Sequence, residues 1–554
     1  MDIFIFSVLT NFVYYCCGSL FVSNKTNKKY DFHIQFYISF IGITIISLIA
    51  LLLNFFTPLT SLINSIVYLT IIIVFVIKQK FILNKVNIKF LLISSFLTFL
   101  LIIYSTVNRP DAGLYHLPYI SVINENKIIF GLGNIHSRFG HVSILQYLSA
   151  INKNHLFLEN GISIPVASIV SLFYIYFFFD AWKVFKKKEA INLSNFFSLL
   201  IIIYIAFKIA RYSEFGNDVI AHLSFFYLIS CLLKDKLKKI NLNKILLISV
   251  FAFINKPTLG LIFIAPTIIF LLQNNFKKKI VYTFFSFPAL LLYLWLIKNI
   301  IVSGCAVFPI RMTCLENLSW HDIQQTVNTD IVTQAWAKGW PDRIDQNITQ
   351  EEFIKDFNWL SSWSKKHLSY IFKIIIPYIL VLFLIILYIK IKSKKISNEN
   401  NKKLNANLFL CILMSTVGLI FFFFLFPLYR FGYSYIITFI SLIFLLIIKN
   451  KIFNKKNNSI YKFIFVTCFV VILTKQVIKI FNNYKDTHWP NIYTLNNDGK
   501  VYEKIKIEID NDFFYYVTNE EDQLCMYSNS ICTNKPVKDL KFSLKNTYKF
   551  LTIN

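Results

Sequence analysis

Apolar runs recur from Met1 to about Lys479, most of them long enough for a helix across a hydrocarbon core. Such a helix takes roughly 20 residues. The runs are 2–22, 34–56, 58–78, 88–106, 162–182, 193–210, 217–233, 244–256, 258–274, 280–300, 368–389, 406–426, 432–449 and 461–479. They predict an all-α polytopic membrane protein of about 14 transmembrane helices. The first run lacks a basic start and a small-residue cleavage site, so it reads as a retained span rather than a signal peptide. The pair 244–256 and 258–274 is the shortest. Its Asn255-Lys256-Pro257 break suits a helical hairpin turning at a membrane surface.

The polar stretches between the runs alternate in character. One set is dense in lysine and poor in acids, including Lys183/Lys186/Lys187/Lys188, Lys234/Lys236/Lys238/Lys239, Lys277/Lys278/Lys279 and the stretch from Lys390 to Lys403. The other set is balanced in charge and holds most of the Trp and His. Positive loops stay in the cytoplasm. Strict alternation over fourteen spans puts every lysine-rich loop on that side and leaves both termini outside. The net charge of +28, in a chain 56% hydrophobic, therefore reads as lysine held against anionic lipid and not as a nucleic-acid surface.

Length and composition divide the chain further. Residues 1–87 form N-terminal accessory spans, and 88–302 form a core whose first outside loop is 107–161. Residues 303–367 form a Trp-rich outside loop with Trp320, Trp336, Trp340, Trp359 and Trp363. Spans at 368–479 follow. Residues 480–554 read as a small outside domain, β or α+β, because Val501–Ile509 alternates and Phe513–Val517 is a short apolar strand pattern. Cys305 with Cys314 and Cys525 with Cys532 fall in outside segments as two close pairs. They suit disulfides in an oxidising compartment. The other five cysteines lie in apolar runs, where thiols pack as small hydrophobes.

The outside loops carry the candidate chemistry. Asp111 follows a span by a few residues, at the membrane surface, where a carboxylate can act as general base toward an acceptor hydroxyl. It could equally cap a helix start. His116, His136 and His141 share this loop, as a possible metal set or as headgroup contacts. Arg138 could clamp a phosphate or pair with Asp111 or Glu125. Arg211, Asp218, Lys256 and Arg430 lie at the outer ends of spans. Ionisable groups there are costly and tend to face a cavity or a partner. Arg211, Lys256 and Arg430 around one cavity would suit phosphate or pyrophosphate. Trp336, far from either flanking span, is a candidate for stacking on a sugar. Nucleotide-loop, dinucleotide and zinc-protease patterns are absent from the sequence.

A span, a long outside loop with an acid near its start, six further spans and a second long outside loop together resemble the GT-C superfamily of membrane glycosyltransferases. The Asp111-Ala112-Gly113-Leu114-Tyr115-His116-Leu117-Pro118 and Gly131-Leu132-Gly133-Asn134 stretches are similar to those of uncharacterised bacterial multi-pass proteins thought to be related to it. The resemblance covers roughly Lys89 to His367. It implies a polyprenyl-phosphate-linked sugar as donor, a glycan or lipid acceptor, and an extracytoplasmic site in a bacterial cytoplasmic membrane. Asp111 would be the base, and Lys256, Arg211 or Arg430 would hold the departing phosphate. Many members pair two acids in this loop. Here Asp111 stands without a second, which fits a mechanism without a divalent metal. A polymerase or ligase of lipid-linked glycans is the nearest rival, and a transporter or flippase the rival from another class. The latter usually shows repeat symmetry, and none is visible.

Overall fold

The computed structural model describes residues 2–22, 31–79, 85–105, 111–183, 192–208, 216–273, 281, 283–392, 406–452, 458–483, 503–520, 523–528 and 531–553. The protein is mainly helical. Each of the apolar runs contains helix. In chain order these are α1 (Asp2–Ser19), α2 (Phe32–Phe56), α3 (Ser61–Gln79) and α4 (Lys85–Ile102). Two short helices of the first long loop follow, α5 (Leu117–Glu125) and α6 (Ile144–Ile151). Next come α7 (Ile164–Trp182), α8 (Leu193–Lys208), α9 (Asp218–Lys234), α10 (Leu242–Asn255), α11 (Ile264–Leu272) and α12 (Phe287–Ser303). The second long loop contributes α13 (Ile323–Lys338), and α14 (Ser369–Lys392), α15 (Ala406–Leu425), α16 (Tyr429–Ile452) and α17 (Asn458–Asn483) complete the set. Among the described residues, nine helices are long and apolar enough to cross a membrane, and α8, α10, α12 and the segment Pro257–Leu272 are apolar but shorter.

The hydrophobic pattern explains which helices sit inside. α7 is apolar all round, and most of its residues are buried, as expected of a helix surrounded by others. α1 and α2 meet through glycine. A Cβ on Gly18 would stand 1.8 Å from the Ile38 carbonyl oxygen, and one on Gly42 would stand 1.8 Å from that of Tyr14. Small residues let apolar helices approach backbone to backbone where no water drives them together. α10 and α11 fold back on one another across the Lys256-Pro257 break. The Gln273 side chain, just past α11, donates to the Ile240 carbonyl, just before α10 (2.9 Å).

The N-terminal helices do more than flank the core: they hold the first long loop. Asn64 on α3 donates to the Ala150 (2.9 Å) and Lys153 (2.7 Å) carbonyls. Asn54 on α2 donates to Asn126 (2.9 Å). Tyr68 donates to Asn152 (2.5 Å). From the other side, the buried Lys298 ammonium of α12 donates to the Val142 carbonyl (3.0 Å).

The C-terminal segment forms a three-stranded sheet, β1 (Lys504–Asp510), β2 (Phe513–Thr518) and β3 (Cys532–Thr533), and a hairpin of β4 (Leu540–Lys545) and β5 (Tyr548–Ile553). It is seated on the first loop. Phe130 exchanges backbone hydrogen bonds with Lys549 (3.0 Å) and Leu551 (2.9 Å). Gly131, at φ +69° where a side chain would strain the backbone, closes this contact, and Asn134 donates to both Leu551 (2.9 Å) and Trp320 (3.0 Å). The first loop, the second loop and the C-terminal segment therefore pack against one another at one end of the helices. Cys305–Cys314 and Cys525–Cys532 are both disulfides, and the five remaining cysteines are buried thiols.

Candidate functional site

A cavity of about 630 Å³ opens at this end of the molecule, where five separate parts of the chain meet. The first loop brings Asp111, Tyr115, His116, Arg138 and His141. Residues 111–116 form a wide turn in which the Leu117 N–H bonds to the Ala112 carbonyl, five residues back. That turn sets Asp111 and His116 on one side, because one winding of such a helix spans the extra residue. Asp111 makes no side-chain cap, so the capping alternative does not account for it.

Asp111 instead meets Arg430, at the start of α16. Arg430 Nη1 donates to Asp111 Oδ2 at 2.7 Å. Burial alone would raise the Asp111 carboxyl, but the Arg430 guanidinium beside it overrides this. Assisted by His116 and Arg138, it holds the group below its ordinary range. Arg430 is itself positioned from behind: His222 of α9 bonds through Nε2 to the Arg430 carbonyl (2.9 Å) and through Nδ1 to Ser434 (2.7 Å). A second pair, Lys256 with Asp218, lines the same cavity. Lys256 lies at the α10 break, one face of its ammonium over the Phe431 ring at 4.0 Å. Asn217 donates to the Asn255 carbonyl (2.7 Å) and ties the start of α9 to that break. Arg138 faces the cavity too, and among the described residues no carboxylate lies within 4 Å of its guanidinium.

The histidines are neutral at ordinary pH. Burial pushes His116 and His136 down to about 4 and His141 to about 3. His116 Nδ1 is 2.6 Å from Gln146 Nε2. His136 accepts from the Arg138 N–H, and His141 packs edge-on to Phe308. Their nitrogens do not converge. Among the described residues, three ligand-type side chains come together only at Cys305, Cys314 and His321. There both sulfurs are spent in a disulfide and are not thiolate ligands.

Of the residues singled out in the sequence, Asp111, His116, Arg138, His141, Asp218, Lys256 and Arg430 line one cavity. Arg211 lies outside the described residues. Trp336 is on α13, 56% exposed, and is not part of the cavity wall. Trp320 is turned inward against Phe130 and Phe550 and donates to the Ile300 carbonyl. Sequence reasoning missed Tyr115, Tyr204, Lys208 and Asp330 of the cavity wall and the positioning residue His222. Tyr204 lies inside an apolar run, where a tyrosine reads as packing, and His222 is marked only by its place one turn after Asp218.

The rim is mixed. The disulfide-closed hairpin Cys305–Cys314 presents Ile310 and Met312, the latter 97% exposed. The end of α15 presents Phe421, Leu425 and Phe426. An apolar gap thus leads to a charged interior.

No curated protein and no solved structure matches the chain. A family model described as a domain of unknown function (DUF8201) matches residues 1–437, a span that includes every cavity-lining residue, and the chain belongs to that family.

Proposed function

We propose that the protein is an integral membrane glycosyltransferase that moves a sugar from a polyprenyl-phosphate donor to a hydroxyl acceptor outside the cytoplasm. The observation that carries this reading is one cavity in which a carboxylate, Asp111, stands among Arg430, Lys256 and Arg138 behind an apolar rim. A lipid-linked phosphate matches both halves of that environment. The isoprenoid chain lies along Ile310, Met312 and Phe421, and the phosphate reaches the cations. The N-terminus of α16 also opens onto the cavity at Tyr429–Phe431, and the positive end of its helix dipole favours an anion. Two disulfides and charge-balanced loops gathered at this end support an oxidising exterior, with all fourteen apolar helices or hairpin arms embedded.

In this reading the acceptor oxygen attacks the anomeric carbon as the bond from that carbon to the phosphate oxygen breaks. The electron pair leaves with the phosphate. Arg430, Lys256 and Arg138 stabilise the charge that grows there, and Asp111 takes the acceptor proton. No step requires a metal. The resting Arg430–Asp111 pair gives weight to one second reading, a ligase or polymerase of pyrophosphate-linked glycans that uses the cations and not a carboxylate base.

The deciding experiment uses the purified full chain in lipid nanodiscs with a set of undecaprenyl-phosphate sugars. Asp111→Asn is expected to lower transfer by about 10²–10⁴-fold with donor binding retained. Full activity of the inserted variant would remove the base and favour the second reading.

A further inference from the structure

Arg138 and Thr333 line two spaces at once. One is the charged cavity. The other, about 390 Å³, lies between the turn Ser137–His141 and one face of α13. Its chemistry is different. Gln324, Gln325, Asn328 and Thr329 supply its wall, so amides and hydroxyls dominate. Charge is confined to Arg138 and Asp322, and the Asp322 carboxylate is engaged by the Gln325 backbone N–H (3.0 Å). Amide side chains both donate and accept. That is the pattern that pairs with a ligand whose groups are all hydroxyls. It suits neither an isoprenoid chain nor a second phosphate.

The same helical face carries an aromatic ring. Residues three and four apart on a helix are neighbours, so Trp336 follows Val332 and Thr333 on the face that bears Thr329. Its ring is left largely in solvent, although an aromatic surface that size is usually covered. A flat apolar surface beside a row of amides fits a pyranose, which has C–H groups on its faces and hydroxyls at its edge.

We infer that this groove along α13 is the acceptor subsite and takes a neutral or weakly charged oligosaccharide. The chain of sugars lies over Trp336 and the amides, and its terminal hydroxyl passes between Arg138 and Thr333 toward Asp111. The inference rests on the glycosyl-transfer reading and names the acceptor class for it. It also gives Arg138 a place at the junction of the two spaces, within reach of donor phosphate and acceptor alike.

The test is direct binding to the full-length protein in nanodiscs, with turnover set aside. The probes are linear pentasaccharides of glucose, N-acetylglucosamine, galactose, mannose and rhamnose, read by saturation-transfer NMR, with undecaprenyl phosphate as a separate probe. At least one saccharide is expected to bind at millimolar concentration. Asn328→Ala and Trp336→Ala are each expected to weaken it about tenfold or more, with undecaprenyl phosphate binding unchanged. Both side chains are exposed, so these substitutions spare the core. The inference is overturned if no saccharide binds, or if both variants bind saccharide as well as the unmodified protein does. Saccharide binding without lipid-phosphate binding would instead refute the donor assignment and leave the groove a glycan site. Lipid-phosphate binding alone would refute the groove.

Discussion

The ion pair between Asp111 and Arg430 sets what the carboxylate can do. Their side chains keep 38% and 42% of their surface exposed, so water screens the pair. Its contribution to folding is at the surface end of the range, about 0.5–1 kcal/mol. Its effect on chemistry is larger, because a carboxylate held by a guanidinium is a weak base. A donor phosphate that draws Arg430 away would raise the basicity of Asp111 when substrate arrives. Without Arg430, the largest influence opposing burial at Asp111 is gone, and its pKa rises. In the proposed mechanism Asp111 works only when ionised, so the acid limb of the rate profile is expected to move to higher pH in Arg430→Gln. Transfer at neutral pH should fall by about 10²-fold through loss of phosphate stabilisation. An acid limb that stays in place would show that Arg430 does not tune this group. The sign for stability is the same. The pair contributes fully above the ordinary carboxylate range, and the contribution is lost as pH falls through the depressed value. Asp111, Lys256 and Arg430 were legible in the sequence because each breaks an apolar pattern at a span end. The pairing was not: 319 residues separate Asp111 from Arg430, and the ion-pair partner that the sequence suggested for Asp111 was Arg138. His222 acts through the Arg430 backbone, which no side-chain pattern encodes.

Single helices explain why the first loop, rich in glycine and histidine, can hold a site at all. Its carbonyls at Ala150 and Lys153, and that of Leu59 in the turn between α2 and α3, face inward and take side-chain donors, since an unpaired buried carbonyl costs about 1–3 kcal/mol. Asn64 of α3 and Asn124 of α5 provide them. Asn64 donates to all three, and Asn124 donates to Leu59 (2.7 Å) and Ala150 (3.0 Å). Asn64→Ala is expected to lower the thermal midpoint of the purified protein and to reduce transfer through disorder of the loop, although α3 lines no part of the cavity. Asn124→Ala should do the same. The double variant should exceed the sum by about 0.5 kcal/mol or more, because each amide keeps the two shared acceptors paired when the other is lost. Additive losses would mean that the amides act separately. The sequence reading treated residues 1–87 as an accessory unit, since hydropathy registers an asparagine in an apolar run only as a small dip. It carries no sign of the distant carbonyl that the amide serves. Helix existence was read well for the opposite reason: length and apolarity are local properties of the chain.

At the scale of the molecule, one geometric fact makes sidedness a single question. The first loop, the second loop and the C-terminal strands are joined by the Phe130–Leu551, Asn134–Trp320 and Gly113–Met526 contacts, so all three lie on the same side as the cavity. In the proposed reading lysine asymmetry puts that side at the exterior, and one well-chosen residue can report for the whole assembly. Asn328 is exposed on α13 and borders the groove next to the cavity. The native free thiols Cys16, Cys17, Cys231, Cys411 and Cys468 are buried, so background labelling should be low. In intact spheroplasts, Asn328→Cys is expected to react with a membrane-impermeant maleimide. Asn401→Cys, in the lysine-rich stretch from Lys390 to Lys403, should react only after permeabilisation. The reverse pattern would move Asp111, Arg430 and both disulfides to the cytosolic face. There cytosolic thiols would work against the disulfides, and a lipid-phosphate sugar presented outside could not reach the cavity. Reaction of both variants in intact spheroplasts would break the alternation of spans between α13 and residue 401, across α14. The helices would stand, but the assignment of a face to the site would be lost.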